Sequence, residues 1–512
     1  MGNINNFRLN NNYKTNGMWA LELEDLFEKN SMFISDKVIP GTIEISEGRI
    51  NLDLNGSFNK FGSNFRTDIY RIYGYLSSGL FVILENCFIC KHNFSVQGYV
   101  VEKYFANIGY VLDKNPVHNN FKLEEKIMAT KVNFGIDYLD SWYDIDLPWC
   151  EKSGDLKDIT IHYNNDFFEN NKYEILDGKF VLSLKNDQNI NRRIYEGAQV
   201  NVRPYISIYT KNYNEVEIKS FFEIANWALR LIDFLTQTFG KYTYFEFYLE
   251  NEINRMRIEK LENGDYKYHS PIYNGRFLFK QVLEEAPKSK TDSLRLSDIK
   301  DEYGDLLKEW FEEKDNLQYI IDLYYQNMNL SLGIETIVVN QIKMLETYYD
   351  NFLQGKEENT QNKDLKFKQA KDKIKKFMDN SETEESVKEK INTILNKNQK
   401  NNITLREKLA IILDELPDEL KIVFSEITPN WDKDANFIFN FSKRLKDTRN
   451  FYTHGANNHR NTSRFSNIDE FLKVNSVLNY VIYYLILKIL YRENMDKRIF
   501  QYPFLKAKTR LV

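Results

Sequence analysis

Cysteine is scarce in this chain, with 3 residues among 512. So few cysteines, in an odd number, argue against a disulfide scaffold and are typical of a reducing compartment, which predicts a cytoplasmic protein. The first twenty residues are rich in asparagine and contain no apolar run, so we also expect no secretory leader.

Long apolar runs are absent as well. The longest apolar stretch, Val477 to Leu490, is shorter than the ~18 to 20 residues that span a bilayer, and it contains Asn479 and Lys488. The sequence therefore predicts no association with membranes. We interpret this stretch as a helix of the core or of a dimer interface.

The chain has neither a large excess of charge nor a phosphate-binding loop. Its net charge is −5, so nucleic acid would be attracted only by a local cluster of basic residues. The glycine-rich loop that ends in Gly-Lys-Ser or Gly-Lys-Thr does not occur, which argues against a nucleotide-hydrolysing enzyme. No cofactor is predicted.

Possible metal ligands are few and scattered. Cys87, Cys90 and His92 have the spacing of half a zinc site, which His118 or His162 would have to complete. Because the segment around Cys87 has the pattern of a strand, we interpret its cysteines as core residues. No metal site is predicted.

Length and composition predict more than one folded domain. A chain of 512 residues is too long for one ordinary core, and 42% hydrophobic residues suffice to fill two or three. From Trp19 to about Tyr273, short segments rich in aromatic and β-branched residues alternate with turns, which predicts antiparallel sheets. One helix is expected in this part, from Val216 to Phe239, with Gly240 as its end.

After Leu294 the pattern is helical, with apolar residues every three or four positions. The predicted helices are Leu306 to Tyr325, Ile334 to Phe352, Leu365 to Met378, Glu384 to Asn396, Leu405 to Leu413, Asp434 to Thr453 and Ile468 to Tyr491. The predicted fold class is therefore α+β. A β-rich region with room for two subdomains covers residues 1–290, and an all-α domain covers residues 291–512.

An alternating aromatic run lies near the end of the β-rich region, at Tyr242, Tyr244, Phe245, Phe247 and Tyr248. Such side chains could stack on bases or sugars, but alternating aromatic residues in strands more often belong to a core. We interpret the run as core.

The run Arg449-Asn450-Phe451-Tyr452-Thr453-His454 has residues suited to phosphodiester chemistry. Arginine is a planar cation that binds phosphate oxygens through parallel hydrogen bonds. Histidine transfers protons near neutral pH. Asn450 lies four residues before His454, on the same helical face, where it could orient the imidazole or the substrate. These residues suit metal-free cleavage.

The spacing of Arg449 and His454 raises a geometric difficulty. Five positions place them roughly 140° apart on an ideal helix, so they share a face only if the helix ends or unwinds between them. Gly455 is a residue that can end a helix. A structural interpretation is also open, because cations at a helix C-terminus interact favourably with the helix dipole.

Basic residues cluster around this motif. Between positions 443 and 464, six lysines and arginines stand against one acid, a local charge of +5 in a chain of −5. Such a patch is what binding of a phosphate backbone requires. The predicted RNA-binding residues are Lys443, Arg444, Lys446, His459, Arg460 and Arg464.

Two parts of the sequence resemble a known family. Arg-Asn-x-x-x-His near the end of one long helix, followed by another, resembles the signature of the HEPN ribonucleases. The segment Gly17-Met18-Trp19-Ala20, followed by Pro40 to Ile45 and Ile50 to Phe58, is similar to the start of the ApeA family of anti-phage HEPN proteins.

The resemblance implies an infection-triggered ribonuclease that cuts host RNA, with tRNA as the first expectation. It implies a homodimer in which Arg449 and His454 of both protomers face one cleft. His454 would move the proton of the ribose 2′-hydroxyl or of the leaving 5′-oxygen, and Arg449 would hold the scissile phosphate. A phage-derived trigger of unknown identity would act on the N-terminal region.

A different class of function is compatible with the same pattern. The β-rich half would then recognise a ligand, and the helical half would be a non-catalytic scaffold for oligomerisation. Both hypotheses predict a dimer, but only the ribonuclease requires His454.

Overall fold

The chain forms two compact units, Met1–Phe311 and Glu312–Val512. The computed structural model describes residues 4–26, 37–46, 48–59, 67–94, 100–113, 126–144, 149–152, 159–162, 171–193, 197–212, 214–249, 258–260, 266–268, 274–281, 294–329, 331–354, 373–378, 384, 387–391, 403–455, 463–492, 495–496, 498, 502 and 504–505. Strands dominate the first unit and helices the second, so the α+β fold class is confirmed.

The first unit is built mainly of antiparallel strands. They are β1 Tyr13–Ala20, β2 Ile39–Ser46, β3 Arg49–Leu54, β4 Asp68–Leu76, β5 Phe81–Phe94, β6 Val100–Leu112, β7 Met128–Ala129, β8 Lys131–Ile136, β9 Trp149–Lys152, β10 Ile159–His162, β11 Lys172–Ile175, β12 Phe180–Arg193, β13 Gly197–Thr210, β14 Val216–Glu217, β15 Tyr242–Tyr248, β16 Ile258–Lys260, β17 Tyr266–Tyr268 and β18 Asn274–Phe279.

Six strands close into a ring. Their order is β6-β3-β2-β1-β4-β5, and β5 pairs back with β6. Alternate residues of each strand point inward, as the burial pattern of β2 shows, and Trp19, Ile43 and Leu52 are fully buried there. Gly74 leaves space for the Trp19 indole, because a Cβ at position 74 would lie 2.3 Å from that ring.

The remaining large strands extend the sheet from β6 in the order β18-β15-β8-β13-β12-β11. The helix Ile218–Thr236 packs on one face of this extension, with Phe222 against Phe245 and Phe277. The helix ends at Gln237, whose φ of 54° is left-handed, so the predicted end at Gly240 is three residues late.

Three further short or medium helices belong to the first unit: Leu139–Trp142, Leu296–Ile299 and Tyr303–Glu312. We number the helices in chain order, so these are α1, α3 and α4, and Ile218–Thr236 is α2. Trp227 of α2 and Trp310 of α4 stack at 4.8 Å, and each indole N–H donates to the other's backbone carbonyl, at 3.0 and 2.8 Å. This reciprocal contact fixes α4 to the strand unit. The compact units therefore divide after Phe311, later than the composition boundary at residue 290.

The second unit consists of helices. They are α5 Lys314–Asn329, α6 Ile334–Tyr348, α7 Leu405–Asp414, α8 Asp418–Lys421, α9 Phe437–His454 and α10 Ile468–Tyr491, and α6 continues as a wider turn over Tyr349–Leu353. Residues 373–378 and 387–391 are also helical, while most of the predicted helices Leu365 to Met378 and Glu384 to Asn396 lies outside the described residues.

One helix predicted as continuous is broken. The segment Leu306 to Tyr325 forms α4 and α5, separated at Glu313. The residues around the break, Glu312 to Asp315, are charged and compatible with a helix. The local sequence pattern therefore does not predict a break between α4 and α5. The break coincides with the division between the units.

Helix α10 lies at the centre of the second unit. By length and composition it could cross a membrane. However, 61% of its most apolar 18-residue segment is buried inside the protein, as in the core helix of a soluble fold. Gln341 of α6 is fully buried and donates to the side-chain oxygens of Asn475 and Asn479, at 2.8 Å each. Asn479, which interrupts the apolar stretch Val477 to Leu490, thus accepts a hydrogen bond from a buried side chain.

The burial of α10 decides between the two interpretations of the stretch Val477 to Leu490. Val477, Leu478, Leu485 and Leu487 are all buried within one protomer, so the stretch is core. A charge there should unfold the second unit rather than split a dimer.

We therefore predict that Leu487→Asp destabilises the protein by about 4 kcal/mol or more, because it places an unpaired carboxylate in an apolar core. Leu472→Asp, on the same helix but 52% exposed, should change stability little. Thermal unfolding of both variants tests this. Equal melting temperatures would contradict the core assignment.

Candidate active site

The motif lies at the end of one unbroken helix. Helix α9 runs from Phe437 to His454, and Gly455 ends it with a left-handed φ of 55°, donating its N–H to the Phe451 carbonyl at 3.0 Å. The glycine therefore ends the helix, but only after His454. Since the helix does not unwind between Arg449 and His454, their angular separation of roughly 140° persists.

Arg449 is held between two helices. Its guanidinium donates to Glu346 Oε2 of α6 at 3.1 Å and to Asn450 Oδ1 at 3.2 Å. Its Nε is buried and has no hydrogen-bond partner among the described residues. The arginine is thus oriented by a carboxylate and an amide.

Asn450 and His454, both described in the structure, are not joined by a hydrogen bond. Asn450 accepts a hydrogen bond from Arg449, and its role in orienting the imidazole or the substrate stays a prediction. His454 is exposed at the last turn of α9, and its ring has no hydrogen-bond partner among the described residues. An exposed imidazole is accessible to a large polar substrate.

The chain that follows the motif is fastened back onto α9. Arg444 donates to the Ser463 carbonyl at 3.1 Å and to Glu470 Oε1 at 2.6 Å. Burial alone would raise the pKa of Glu470, but hydrogen bonds from Arg444 and from the backbone N–H of Ser466 lower it overall. Thr448 accepts the backbone N–H of Phe465 at 3.1 Å. These contacts set the start of α10 beside the motif.

The predicted RNA-binding residues differ in their surroundings. Lys443 is exposed, and Lys446 lies 3.4 Å from Asp447. The Arg464 guanidinium covers the Phe451 ring at 3.6 Å, whereas Arg444 is engaged by Glu470. His459 and Arg460 lie outside the described residues. Their role in binding RNA stays a prediction.

The possible half zinc site does not form a ligand cluster. Cys87 is buried, and burial together with the charge of Glu85 raises its pKa to about 12, so its interpretation as core is correct. Cys90 is exposed, which the core interpretation did not anticipate. His92 instead lies 3.0 Å from Glu102 Oε1. The described residues contain no group of three possible metal ligands.

Glu346 is the site residue that the sequence did not indicate. It lies 103 positions before Arg449, on a helix that packs its buried face in the core. A carboxylate on such a helix is compatible with a solvated face, so only the packing of α6 on α9 identifies its partner.

Comparison with known families agrees with this geometry. Residues 15–310, more than half of the chain, match the model of ApeA N-terminal domain 1. The chain belongs to the ApeA family of HEPN proteins. Residues 339–494, from within α6 to just beyond α10, match Apea-like HEPN and include Arg449, Asn450 and His454. No curated protein and no solved structure matches the chain.

Membership of this family implies a function in anti-phage defence that uses a HEPN nuclease domain. The HEPN match covers the elements that position Glu346 and Arg449. The ApeA match covers the ring of strands and the sheet extension. Each family segment thus corresponds to one of the two compact units.

Glu346→Ala should lower nuclease activity by about tenfold to a hundredfold, because it frees the Arg449 guanidinium from its fixed orientation. Glu346→Gln, which keeps a hydrogen-bond acceptor, should lose less. Single-turnover cleavage of RNA by purified, folded variants measures this. The control is Asp418→Ala, which removes a carboxylate that is 97% exposed in the same unit. Full activity of Glu346→Ala would show that Arg449 needs no such support.

Proposed function

We propose that this protein is a metal-independent endoribonuclease that cuts host RNA, with tRNA as the first substrate to test, in response to phage infection. One observation carries the proposal. Within the HEPN segment, a single helix presents an arginine oriented by a carboxylate and, at its last turn, an exposed histidine.

The chemistry assigned to each residue follows from its surroundings. His454 is open to substrate and can take the proton of the ribose 2′-hydroxyl or supply one to the leaving 5′-oxygen. The Arg449 side chain is 22% exposed beside its contacts with Glu346 and Asn450, and its positive charge stabilises negative charge on the phosphate as the bond breaks. The adjacent 2′-hydroxyl is the nucleophile, so the step requires no metal.

The angular separation of Arg449 and His454 favours a composite site. Two side chains roughly 140° apart on one straight helix cannot both reach one phosphate from the same face. A second copy of α9 would supply the missing partner, so we propose a homodimer formed by the second unit.

Exposed apolar residues near the motif suit this dimer. Ile468 and Leu472 lie one turn apart on α10 and are 64% and 52% exposed. Tyr452, 44% exposed, contacts Phe471 with ring centres 5.9 Å apart. We call these three residues the α9–α10 patch. Contiguous exposed apolar surface of this kind is typical of contact sites.

The first unit would provide control in this proposal. A nuclease that attacks host RNA must be inactive before infection. The ApeA segment carries no arginine–histidine motif of this kind, and we assign to it the detection of a phage-derived trigger.

His454→Ala and Arg449→Ala should each reduce RNA cleavage by about 10² to 10⁴ and abolish toxicity, because each removes a group that acts on the reacting atoms. Wild-type protein should cleave in EDTA and leave 2′,3′-cyclic phosphate or 3′-phosphate ends. Sequencing of RNA ends, with end-group analysis, measures both outcomes.

Thr453→Ala, at the exposed position before the histidine, is the matched control and should cleave normally. Undiminished cleavage by folded His454→Ala would refute the site. Strict dependence on Mg²⁺ with 3′-hydroxyl ends would refute the mechanism. A stable dimer that never cleaves RNA would favour the alternative, a ligand-binding protein with a helical scaffold.

Leu472→Asp should weaken the dimer and lower activity while leaving the melting temperature of the protomer unchanged. Tyr319→Asp places the same charge at an equally exposed apolar position, 51% exposed, on α5 and should do neither. Sedimentation velocity measures the assembly. A Leu472→Asp dimer as tight as the wild type would exclude the α9–α10 patch as the interface.

A further inference from the structure

A row of polar side chains crosses the sheet extension on the face opposite α2. Ser183, Ser207, Asn133, Glu246 and Arg276 are successive register partners on β12, β13, β8, β15 and β18. Directly paired residues of antiparallel strands project to the same side of the sheet. The five side chains therefore form one continuous row, which we call the polar row.

The polar row is buried although its members are hydrophilic. Ser183 and Ser207 are 0% exposed, Asn133 6% and Arg276 5%. The hydroxyl oxygens of both serines and Oδ1 of Asn133 have no hydrogen-bond partner among the described residues. Buried polar atoms are nearly always paired in folded proteins, so an unpaired series of them calls for an explanation, and a bound ligand is one.

Arg276 has the strongest unmet hydrogen-bonding capacity in the row. One terminal nitrogen donates to Asn5 Oδ1 at 2.6 Å, while Nε and the other terminal nitrogen are buried and have no hydrogen-bond partner among the described residues. Glu246 Oε1 lies 3.9 Å from the first of these nitrogens, close enough for an ion pair but beyond hydrogen-bond distance, and the Tyr244 ring centre lies 4.9 Å from the guanidinium carbon. Two buried donors therefore remain unpaired, which is costly until an acceptor reaches them.

The charge around Arg276 is predominantly positive. Burial lowers the pKa of Arg8, and the positive charges of Arg203 and Arg276 lower it further, so three guanidinium groups act on one another. Lys131, two residues from Asn133, is also buried, with its ammonium 5.1 Å from the centre of the Tyr248 ring. Glu246 is the carboxylate in the row, and it also accepts from the Tyr248 hydroxyl at 3.0 Å.

These groups match one chemical class of ligand. Arginine donors in a fixed fork, serine hydroxyls and surplus positive charge are complementary to the oxygens of a phosphate group. Asn5 at present satisfies one nitrogen of Arg276, and its segment contacts the sheet again where the Leu9 N–H donates to the Thr243 carbonyl at 3.0 Å.

We propose that the polar row and Arg8 form a binding site for a small phosphate-bearing molecule, which enters when the amide of Asn5 moves off Arg276. The phosphate group then accepts hydrogen bonds from the unpaired nitrogens of Arg276, while Ser207, three strands and roughly 14 Å away along the row, contacts another part of the ligand. This binding is independent of the nuclease assignment. Its consequence for activity, that the first unit reads a small molecule during infection, rests on the proposed function.

The experiment measures ligand binding by the full-length protein, by calorimetry and by thermal shift. The probes are inorganic phosphate, adenosine monophosphate and the triphosphates of adenosine and guanosine, with sodium chloride at matched ionic strength. We expect at least one phosphate-bearing probe to stabilise the wild type. Tighter binding of a nucleotide than of inorganic phosphate would show that the site recognises a nucleotide rather than free phosphate.

Arg276→Met should weaken that binding by about tenfold or more, because it removes the charged donors. Ser207→Ala should weaken it several-fold and should be no less stable than the wild type without ligand, since it removes an unpaired hydroxyl. Arg49→Gln, an exposed arginine on β3, is the control and should bind normally. RNA cleavage by wild type and Arg276→Met, assayed without ligand, separates failure of this site from failure of the nuclease.

Three results would overturn the proposal. One is a wild type that none of the probes stabilises and that releases no phosphate-bearing compound when denatured. Another is Arg276→Met or Ser207→Ala, both folded, binding the active probe as tightly as the wild type. The third is a marked loss of stability in Ser207→Ala without ligand, which would show that the row is satisfied internally.

Discussion

The unbroken course of helix α9 constrains the chemistry of the second unit. Because its backbone hydrogen bonds continue to His454, the arginine and the histidine of the motif cannot converge within one straight helix. Packing against α6 orients Arg449 through Glu346, while His454 stays exposed at the helix end. The same continuity is the reason for proposing a second copy as the source of the missing group and the exposed residues at the start of α10 as its contact surface.

The interior of the second unit explains how this arrangement is kept rigid. Helix α10 contributes a large share of the apolar core, and Gln341 bridges α6 to two asparagines of α10. Buried amide contacts of this kind specify register, since a shift by one residue would leave them unpaired. The helix that carries Glu346 is thereby fixed relative to the helix that starts beside the motif.

The first unit combines two kinds of sheet surface. In the closed ring most inward side chains are apolar and surround Trp19, although Glu102 is also fully buried there. In the extension, one face is apolar and covered by α2, while the other buries the polar row. A buried polar face adds no hydrophobic stabilisation, and a role in ligand recognition is our proposal for it.

The aromatic run of β15 shows where reasoning from the sequence succeeds and where it stops. Tyr242, Phe245 and Phe247 are buried among other aromatic rings, as the alternation predicted. Tyr244 instead contacts Arg276, and Tyr248 hydrogen-bonds to Asn133 and Glu246. An irregularity between Tyr242 and Tyr244 shifts the register, and the partners that define the polar face come from strands far along the chain.

The sequence by itself determined the fold class, the family signature, most helices of the second unit and the chemistry available at Arg449 and His454. These depend on local periodicity and on residue type, which a linear pattern contains. Only the tertiary structure decided that the end of α10 is core, that Glu346 holds Arg449, that α4 belongs to the strand unit and that five polar residues align across the sheet. Each of these depends on contacts between residues distant in sequence, and local propensities do not encode which distant residue will be the partner.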